Sequence, residues 1–271
     1  MEVIVVDNAS TDQSSEVVQK EFPKVVLIKN KKNLGFATGN NIGIKKAKGE
    51  YILLLNSDTR LVEDSLTKMV SFMEKNPKVG ISSCQLIGEN GEIQASGGFF
   101  PNLLRVFAWM FFIDDLPFIG RFIKPFHPHQ PKFYIYDPWY KTEHLQDWVT
   151  GAFFLIRKKV ISDIGFLDEK FFMYVEELEY CFRVKKKDWQ VLYTPITKII
   201  HLGGQSSGTR RAIISEYQGL KYFFAKHKKR WEAIPLRIFL RIGAALRIFL
   251  FGIIKKDLEA RKIYAEAFRI S

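Results

Sequence analysis

Along the first third of the chain, short apolar runs alternate with longer amphipathic stretches. Residues 3–6 are β-branched and wholly apolar, which predicts a buried strand ending at Asp7. The next five residues, 8–12, have turn and helix-capping chemistry, and a helix is predicted over 13–22, stopping before Pro23. A second strand follows over 25–28, then a loop over 30–35 and a helix over 38–48 that stops at Gly49. A third strand over 51–55 runs into Asn56-Ser57-Asp58, a helix over 63–75 ends ahead of Pro77, and a fourth strand covers 79–82. This alternation predicts an α/β fold: a mostly parallel sheet flanked by helices. In such sheets ligands bind beyond the carboxyl ends of the strands. Three polar clusters fall there: Asp7 with Asn8, Asn33 with Gly35, and Asn56-Ser57-Asp58.

The second half carries the acids. Trp148 and Gly151 lead into an apolar run over 153–156; Gly151 either admits a ligand closely or relieves a bend. An aromatic block over 171–174 precedes Glu176, Glu177 and Glu179. On a helix Glu176 and Glu179 share a face, while Glu177 points about 100° away. Acids suit any helix start because of the dipole. Apolar flanks, however, would desolvate a carboxylate and raise its pKa toward general-base values. A strand-like stretch over 191–200 ends at His201, a candidate metal ligand ahead of two glycines. Neither G-x-x-x-x-G-K-[ST] nor G-x-G-x-x-G after a strand is present, which disfavours P-loop NTPases and Rossmann dehydrogenases. A diphosphate site without those loops needs a metal ion. Asp58, beside Asn56 and Ser57, offers hard oxygen ligands for Mg²⁺ or Mn²⁺.

Composition adds a polarity to the chain. Of the net charge of +12 over 271 residues, residues 221–271 supply +9, from 13 Lys+Arg against 4 acids. Within that tail, residues 235–254 are dense in Leu, Ile and Phe. On one helix Lys226, Arg230, Arg237, Arg241 and Lys255 would form a basic line with Arg247 at its edge, opposite Ile238, Phe239, Leu240, Ile242, Leu246, Phe249, Leu250 and Ile253. This predicts a helix lying on an anionic membrane surface; packing onto the domain is the plainer alternative. Nucleic acid is not expected as a partner, because no aromatic platforms on strands accompany the charge. No stretch is long and apolar enough for an ordinary transmembrane helix, and residues 1–7 show no secretory leader. Cys84 and Cys181 are far apart with no C-x-x-C spacing, which fits a reduced, cytoplasmic compartment. The Phe-, Pro- and His-rich stretch over 99–138 reads as an insertion on the acceptor side or toward lipid.

Six strings in order, VIVVDNASTD (3–12), NLGFATGNNIGI (33–44), YILLLNSDT (51–59), WVTGAFFLIRKKV (148–160), IGFLDEKFFMYVEELEYCFRV (164–184) and IIHLGG (199–204), resemble the inverting family 2 glycosyltransferases of GT-A fold. The rhamnosyltransferase-like branch of bacterial polysaccharide synthesis is the most similar. The resemblance implies that Asp7 and its neighbour Asn8 contact the nucleoside, and that Asn33 and Gly35 close a loop over it. It implies that Asn56-Ser57-Asp58 is a D-x-D-like motif, with Asp58 the ligand of Mg²⁺ or Mn²⁺ and His201 a second metal or diphosphate contact. Trp148 and Gly151 then match the sugar and acceptor pocket, and Arg183 is aimed at the diphosphate. Glu177, preceded by Glu176, matches the general base. The chain departs from the family pattern in starting without the usual first strand and helix, and in carrying Glu177 and Glu179 where Asp is usual. An open sheet edge offers a site for a second copy, as in a homodimer.

The expected organisation is a GT-A-like domain over 1–209 and a helical, membrane-surface segment over 210–271. The expected activity is metal-dependent sugar transfer with inversion. The donor is a nucleotide-sugar and the acceptor a glycan or lipid-linked molecule. The expected location is peripheral, on the cytoplasmic face of the cell membrane. The alternative is a non-catalytic nucleotide-sugar-binding or partner protein with a decayed site. A nucleotidyltransferase is disfavoured, because no Gly-rich basic loop lies near the first strand.

Overall fold

The computed structural model describes residues 1–116, 122–127, 139–203 and 209–271; the predicted insertion therefore falls partly outside the described residues. The first elements follow the hydrophobic pattern: β1 (Ile4–Asp7), α1 (Ser14–Glu21), β2 (Val26–Lys29), α2 (Gly35–Lys46), β3 (Tyr51–Leu55), β4 (Thr59–Leu61), α3 (Ser65–Lys75) and β5 (Val79–Ile87). After β5 come the short strands β6 (Ile93–Gln94) and β7 (Gly97–Gly98), then α4 (Leu103–Met110). Two more short strands, β8 (His144–Leu145) and β9 (Trp148–Val149), lead to β10 (Phe153–Arg157), α5 (Lys158–Ile164), α6 (Glu176–Lys185) and β11 (Gln190–His201). The tail forms α7 (Thr209–His227), α8 (Ala233–Arg247), a π-helical continuation (Ile248–Ile254) and α9 (Leu258–Ile270).

The main sheet has the order β3-β10-β5-β11-β4, with β6 beside β5 and β8 beside β11. It is mixed, which corrects the mostly parallel sheet expected from the sequence. Among its described strands only β5 and β11 pair in parallel; β10 is antiparallel to β3 and β5, β6 to β5, and β4 and β8 to β11. The strand–helix alternation that predicted a parallel sheet ends at β5. After the long excursion over 88–147 the chain returns reversed, so β10 enters between β3 and β5 in the opposite sense.

β1 and β2 pair in parallel as a separate two-stranded sheet. Among the described residues each of β1 and β3 thus keeps one unpaired edge. Helix α2 ties the two sheets together. On one side Gly43 lets Val6 approach so closely that an added Cβ would sit 3.3 Å from it. On the other side Ala37 and Ile44 are buried in the same cluster as Ile52 and Leu54 of β3. The Glu2 carboxylate accepts from the N–H groups of Lys48 and Gly49, just ahead of β3.

The tail shares the main core: Tyr217, Leu220, Phe223 and Leu240 are buried in one cluster with Phe154 and Leu178. The single basic line drawn from the sequence is divided. Lys226 lies on α7, separated from α8 by a break at 228–232. Arg247 is buried, donating to the carbonyls of Met110 and Trp109 with its guanidinium 4.4 Å from the Phe112 ring centre.

One buried carboxylate fixes how α6 meets α7. Glu179 has no solvent exposure and accepts from Arg183 Nε at 3.0 Å, Lys226 Nζ at 2.7 Å and His227 Nε2 at 2.9 Å. Lys226 also donates to Asp168 at 2.6 Å, which accepts in turn from Tyr222 at 2.9 Å. Burial alone would push the Glu179 carboxyl up; the His227 hydrogen bond and the Arg183 and Lys226 charges hold it below its ordinary value. Its contribution is present above the ordinary carboxylate range and lost as pH falls through the lowered pKa. Glu179→Ala is expected to cost about 3 kcal/mol at pH 7, because it strands cations in a dry site. In urea melts the gap to the native protein should narrow at acid pH; an equal gap at pH 7 and pH 3 would contradict the ionic origin.

Candidate active site

Polar groups stand at the carboxyl ends of β1, β3 and β11 and at the start of α6. At the end of β1, Asp7 accepts from Ser10 N at 2.9 Å and from the Ser15 hydroxyl. Those hydrogen bonds hold its carboxyl below the usual range, so it presents a fixed negative charge. Asn8 organises the loop after β2: its Oδ1 accepts from Asn30 Nδ2 and Leu34 N, both at 3.1 Å. Its Nδ2 donates to Asn33 Oδ1 at 3.2 Å and Gly35 O at 2.9 Å.

Gly35 then makes the turn into α2 at φ +83°, and an added Cβ would lie 2.2 Å from Phe172 O. No L side chain fits there. Phe36 N donates to that same carbonyl at 2.7 Å, and buried Asn41 exchanges hydrogen bonds with the Leu167 backbone at 2.9 and 3.1 Å. The Asn33–Gly35 loop is thereby stapled to the segment that leads into the acids. Gly151 serves the same packing: an added Cβ would sit 2.8 Å from the Phe36 ring. One residue on, Ala152 O accepts from Asn56 N at 3.3 Å.

At the ends of β3 and β11, Asp58 and His201 face each other, with His201 Nε2 at 3.6 Å from Asp58 Oδ1. Asp58 is buried and this oxygen has no hydrogen-bond donor. Gln94 sets the imidazole: its amide N donates to His201 O at 2.9 Å, which turns its Oε1 to His201 Nδ1 at 2.8 Å. Gln94 Oε1 takes the Nδ1 side of the ring, which leaves Nε2 as the atom that faces the carboxylate. A carboxylate oxygen and a ring nitrogen held face to face in a dry site suit a cation between them, and a hard O/N pair fits Mg²⁺ or Mn²⁺. Among the described residues no group of three or more His, Cys, Asp or Glu is arranged to hold a metal. Ser57 is exposed beside it.

The acids stand at the first turn of α6. Tyr174 and Val175, with φ +66° and +71°, force the chain sharply into the helix. Glu176 is buried and Glu177 half-buried, and one oxygen of each lacks a hydrogen-bond donor. Desolvation pushes Glu177 up to about 7, with the charge of Glu216 adding to it; burial and the neighbouring Glu177 push Glu176 well above its ordinary value as well. At about 7, Glu177 can exist as a carboxylate near neutral pH and still accept a proton readily.

Glu216 comes from α7, and the sequence reading did not include it. Its helix packs so tightly on the acid turn that a Cβ on Gly219 would lie 2.8 Å from Val175 Cγ2. Glu216, three residues before Gly219, shares that face. Its carboxylate is 2.9 Å from His127 Nε2. The one sequence signal was a glycine inside a helix, which marks close approach.

Two residues expected in the donor or acceptor pocket make internal hydrogen bonds. Trp148 is buried in the core, its Nε1–H donating to Phe126 O at 3.1 Å. Arg183 gives its donors to Glu179 and to the carbonyls of Ile164 and Phe166, at 2.7 and 2.8 Å for the two carbonyls. Both side chains are committed to packing within the protein.

The family model for glycosyl transferase family 2 matches residues 1–165. The chain belongs to glycosyl transferase family 2. Among curated relatives, the N-acetylglucosaminyl-diphospho-decaprenol L-rhamnosyltransferase of Mycobacterium tuberculosis is 25% identical, covering 92% of this chain and 82% of its own length. Among solved structures, GalNAc-T7 with UDP, GalNAc and Mn²⁺ superposes with a TM-score of 0.58 at 14% identity, over 99% of this chain. The chain spans 49% of that structure's length. The mannosyltransferase PcManGT of Pyrobaculum calidifontis, in complex with GDP-Man and Mn²⁺, gives 0.54 at 15% identity, covering 98% of this chain and 76% of its own. At these identities the superpositions speak to the fold, which is that of GT-A glycosyltransferases with the C-terminal helices included.

The titration of this family 2 site is directly measurable. In ¹³C-detected carboxyl titrations of the full chain, Glu177 should titrate near pH 7, and Glu216→Gln should move it lower by removing a like charge. An unmoved midpoint would remove Glu216 from the site.

Proposed function

We propose that this chain transfers a sugar, a rhamnose or another hexose, from a nucleotide-sugar to a hydroxyl of a glycan or lipid-linked acceptor, with inversion, in cell-surface polysaccharide synthesis. The observation that carries this reading is the half-buried Glu177 carboxylate, tuned to about 7 and joined through the 167–172 segment to the Asn33–Gly35 loop. The relative's printed name supports the donor and acceptor class. A lipid-linked acceptor would bring the chain to the cytoplasmic face of the membrane as a peripheral protein.

In this reading Asp7 and Asn8 orient the nucleoside, with the Asn33–Gly35 loop closing beside it. Asp58 and His201 would hold Mg²⁺ or Mn²⁺, which supplies charge neutralisation for the departing nucleoside diphosphate. The acceptor oxygen attacks the anomeric carbon as the bond from that carbon to the diphosphate oxygen breaks on the opposite face. Glu177 takes the proton from the acceptor hydroxyl. Burial raises the Glu176 carboxyl as well, which disfavours a second negative charge in the same dry turn.

The test combines binding and turnover. UDP, dTDP and GDP are each added with and without Mn²⁺, and unfolding midpoints are read for the native protein and Asp58→Ala. One nucleotide at 100 times its Kd should stabilise the native chain by about 2.7 kcal/mol, only with metal, and the shift should vanish in Asp58→Ala. The matching sugar nucleotide should then turn over on a polyprenyl-diphosphate-linked acceptor. Metal-dependent binding without transfer to any glycan or lipid-linked acceptor would favour a non-catalytic nucleotide-sugar-binding protein. The separation of the β1–β2 sheet from the main sheet is the feature that suits that second reading.

A further inference from the structure

Helix α8 has two apolar faces, and the fold uses only one. Leu236, Leu240 and Ala244 are buried against the domain, and Gly243 lets Met110 approach to within 2.5 Å of where a Cβ would stand. The other face is a separate stripe. Trp231, Ile234, Ile238, Ile242, Phe249 and Ile253 recur at helical spacing and are each between 47% and 68% exposed. The stripe runs from the turn before α8 through the π-helical continuation, roughly 30 Å at 1.5 Å per residue. Single exposed apolar residues are ordinary, but a continuous row of six is an interaction surface.

The charges beside the stripe identify its partner. Residues 233–256 contain no Asp or Glu. Arg230, Arg237 and Arg241 are exposed along one rim, and Lys255 and Lys256 stand at the far end. Lys221 of α7 adds to the same rim: burial, and then the charges of Arg237 and Arg241, hold its pKa down. A second copy of this chain docked face to face would bring cations against cations, and the one acid within the stripe's span, Glu232, is engaged by Lys229 N. A bilayer with anionic headgroups meets both requirements, apolar depth under the isoleucines and negative charge under the arginines. Among the described residues no helix is long and apolar enough to cross a membrane, so the helix would lie along the surface.

We propose that the Trp231–Ile253 stripe of α8 and its continuation is a membrane-docking face that inserts into the interface of an anionic lipid bilayer. The proposal goes beyond the sugar-transfer reading and does not depend on it. Docking by this face puts α7, and with it the acid turn packed on Gly219, one helix away from the lipid. The sequence alone drew Leu240 into the membrane face; the structure moves it to the core.

Cosedimentation of the full chain with vesicles tests this. The vesicles are phosphatidylcholine alone, or phosphatidylcholine with about one-third phosphatidylglycerol. Native protein should bind the anionic vesicles and leave the neutral ones. The pair Arg237→Gln and Arg241→Gln should weaken binding by roughly thirty-fold, about fivefold for each surface cation. The pair Ile238→Asn and Phe249→Asn should abolish binding, while Val17→Asn on α1 leaves it unchanged; unfolding midpoints confirm that each variant folds. Equal binding to both vesicle types, or retention by the Ile238/Phe249 pair, would overturn the proposal. So would a dimer in light scattering that this pair converts to monomer, since the occupant would then be a second copy.

Discussion

The placement of the candidate base depends on a carboxylate that never meets solvent. Glu179 ties its own helix, through Arg183, to the carbonyls of Ile164 and Phe166, and ties α6 to α7 through Lys226 and His227. Because α6 cannot rotate without breaking that set, its first turn is fixed against α7. Two residues upstream Glu177 is then held half-buried, in reach of the Glu216 charge. A hydrophobic contact could hold the two helices together but would not fix the rotation of one on the other. Directional hydrogen bonds to one buried carboxylate do.

The same turn shows local rules yielding to chemistry. Two adjacent non-glycine residues, Tyr174 and Val175, sit in the left-handed region, and two adjacent carboxylates, one buried and one half-buried, each carry a buried oxygen lacking a donor. Each is unfavourable by itself. Their concentration at one helix start, opposite the Asn33–Gly35 loop, is what sets this place apart from the rest of the core. Asp58 and His201 repeat the pattern on a smaller scale, a buried carboxylate oxygen facing an imidazole that Gln94 holds in place.

Much of this was legible in the sequence, and the remainder was hidden for identifiable reasons. Strands β1, β2 and β3 and helices α1 and α3 follow from hydrophobic period and capping residues, which are local. The parallel sheet was misjudged because strand direction after β5 depends on where a sixty-residue excursion ends, and no local pattern encodes that. Asp58 and His201 are candidates from sequence because both stand at strand ends, and they face each other in the fold. Glu216 was not, because its role comes from α7 packing over residues forty positions earlier. Trp148 and Arg183 sit within motif strings, yet a motif residue can act by packing. Arg183 is four residues after Glu179, a spacing that already suited an ion pair on one helix.

If Glu177 is the base, the pH dependence of sugar transfer must carry its signature. The most direct measurement is kcat/KM from pH 5 to 9 for the native chain and for Glu177→Gln, once a donor is in hand. The expected result is an acidic limb with an apparent pKa near 7 in the native protein, and a loss of roughly 10²–10⁴-fold in the variant. A limb in the ordinary carboxylate range, or a variant with native activity, would contradict the assignment.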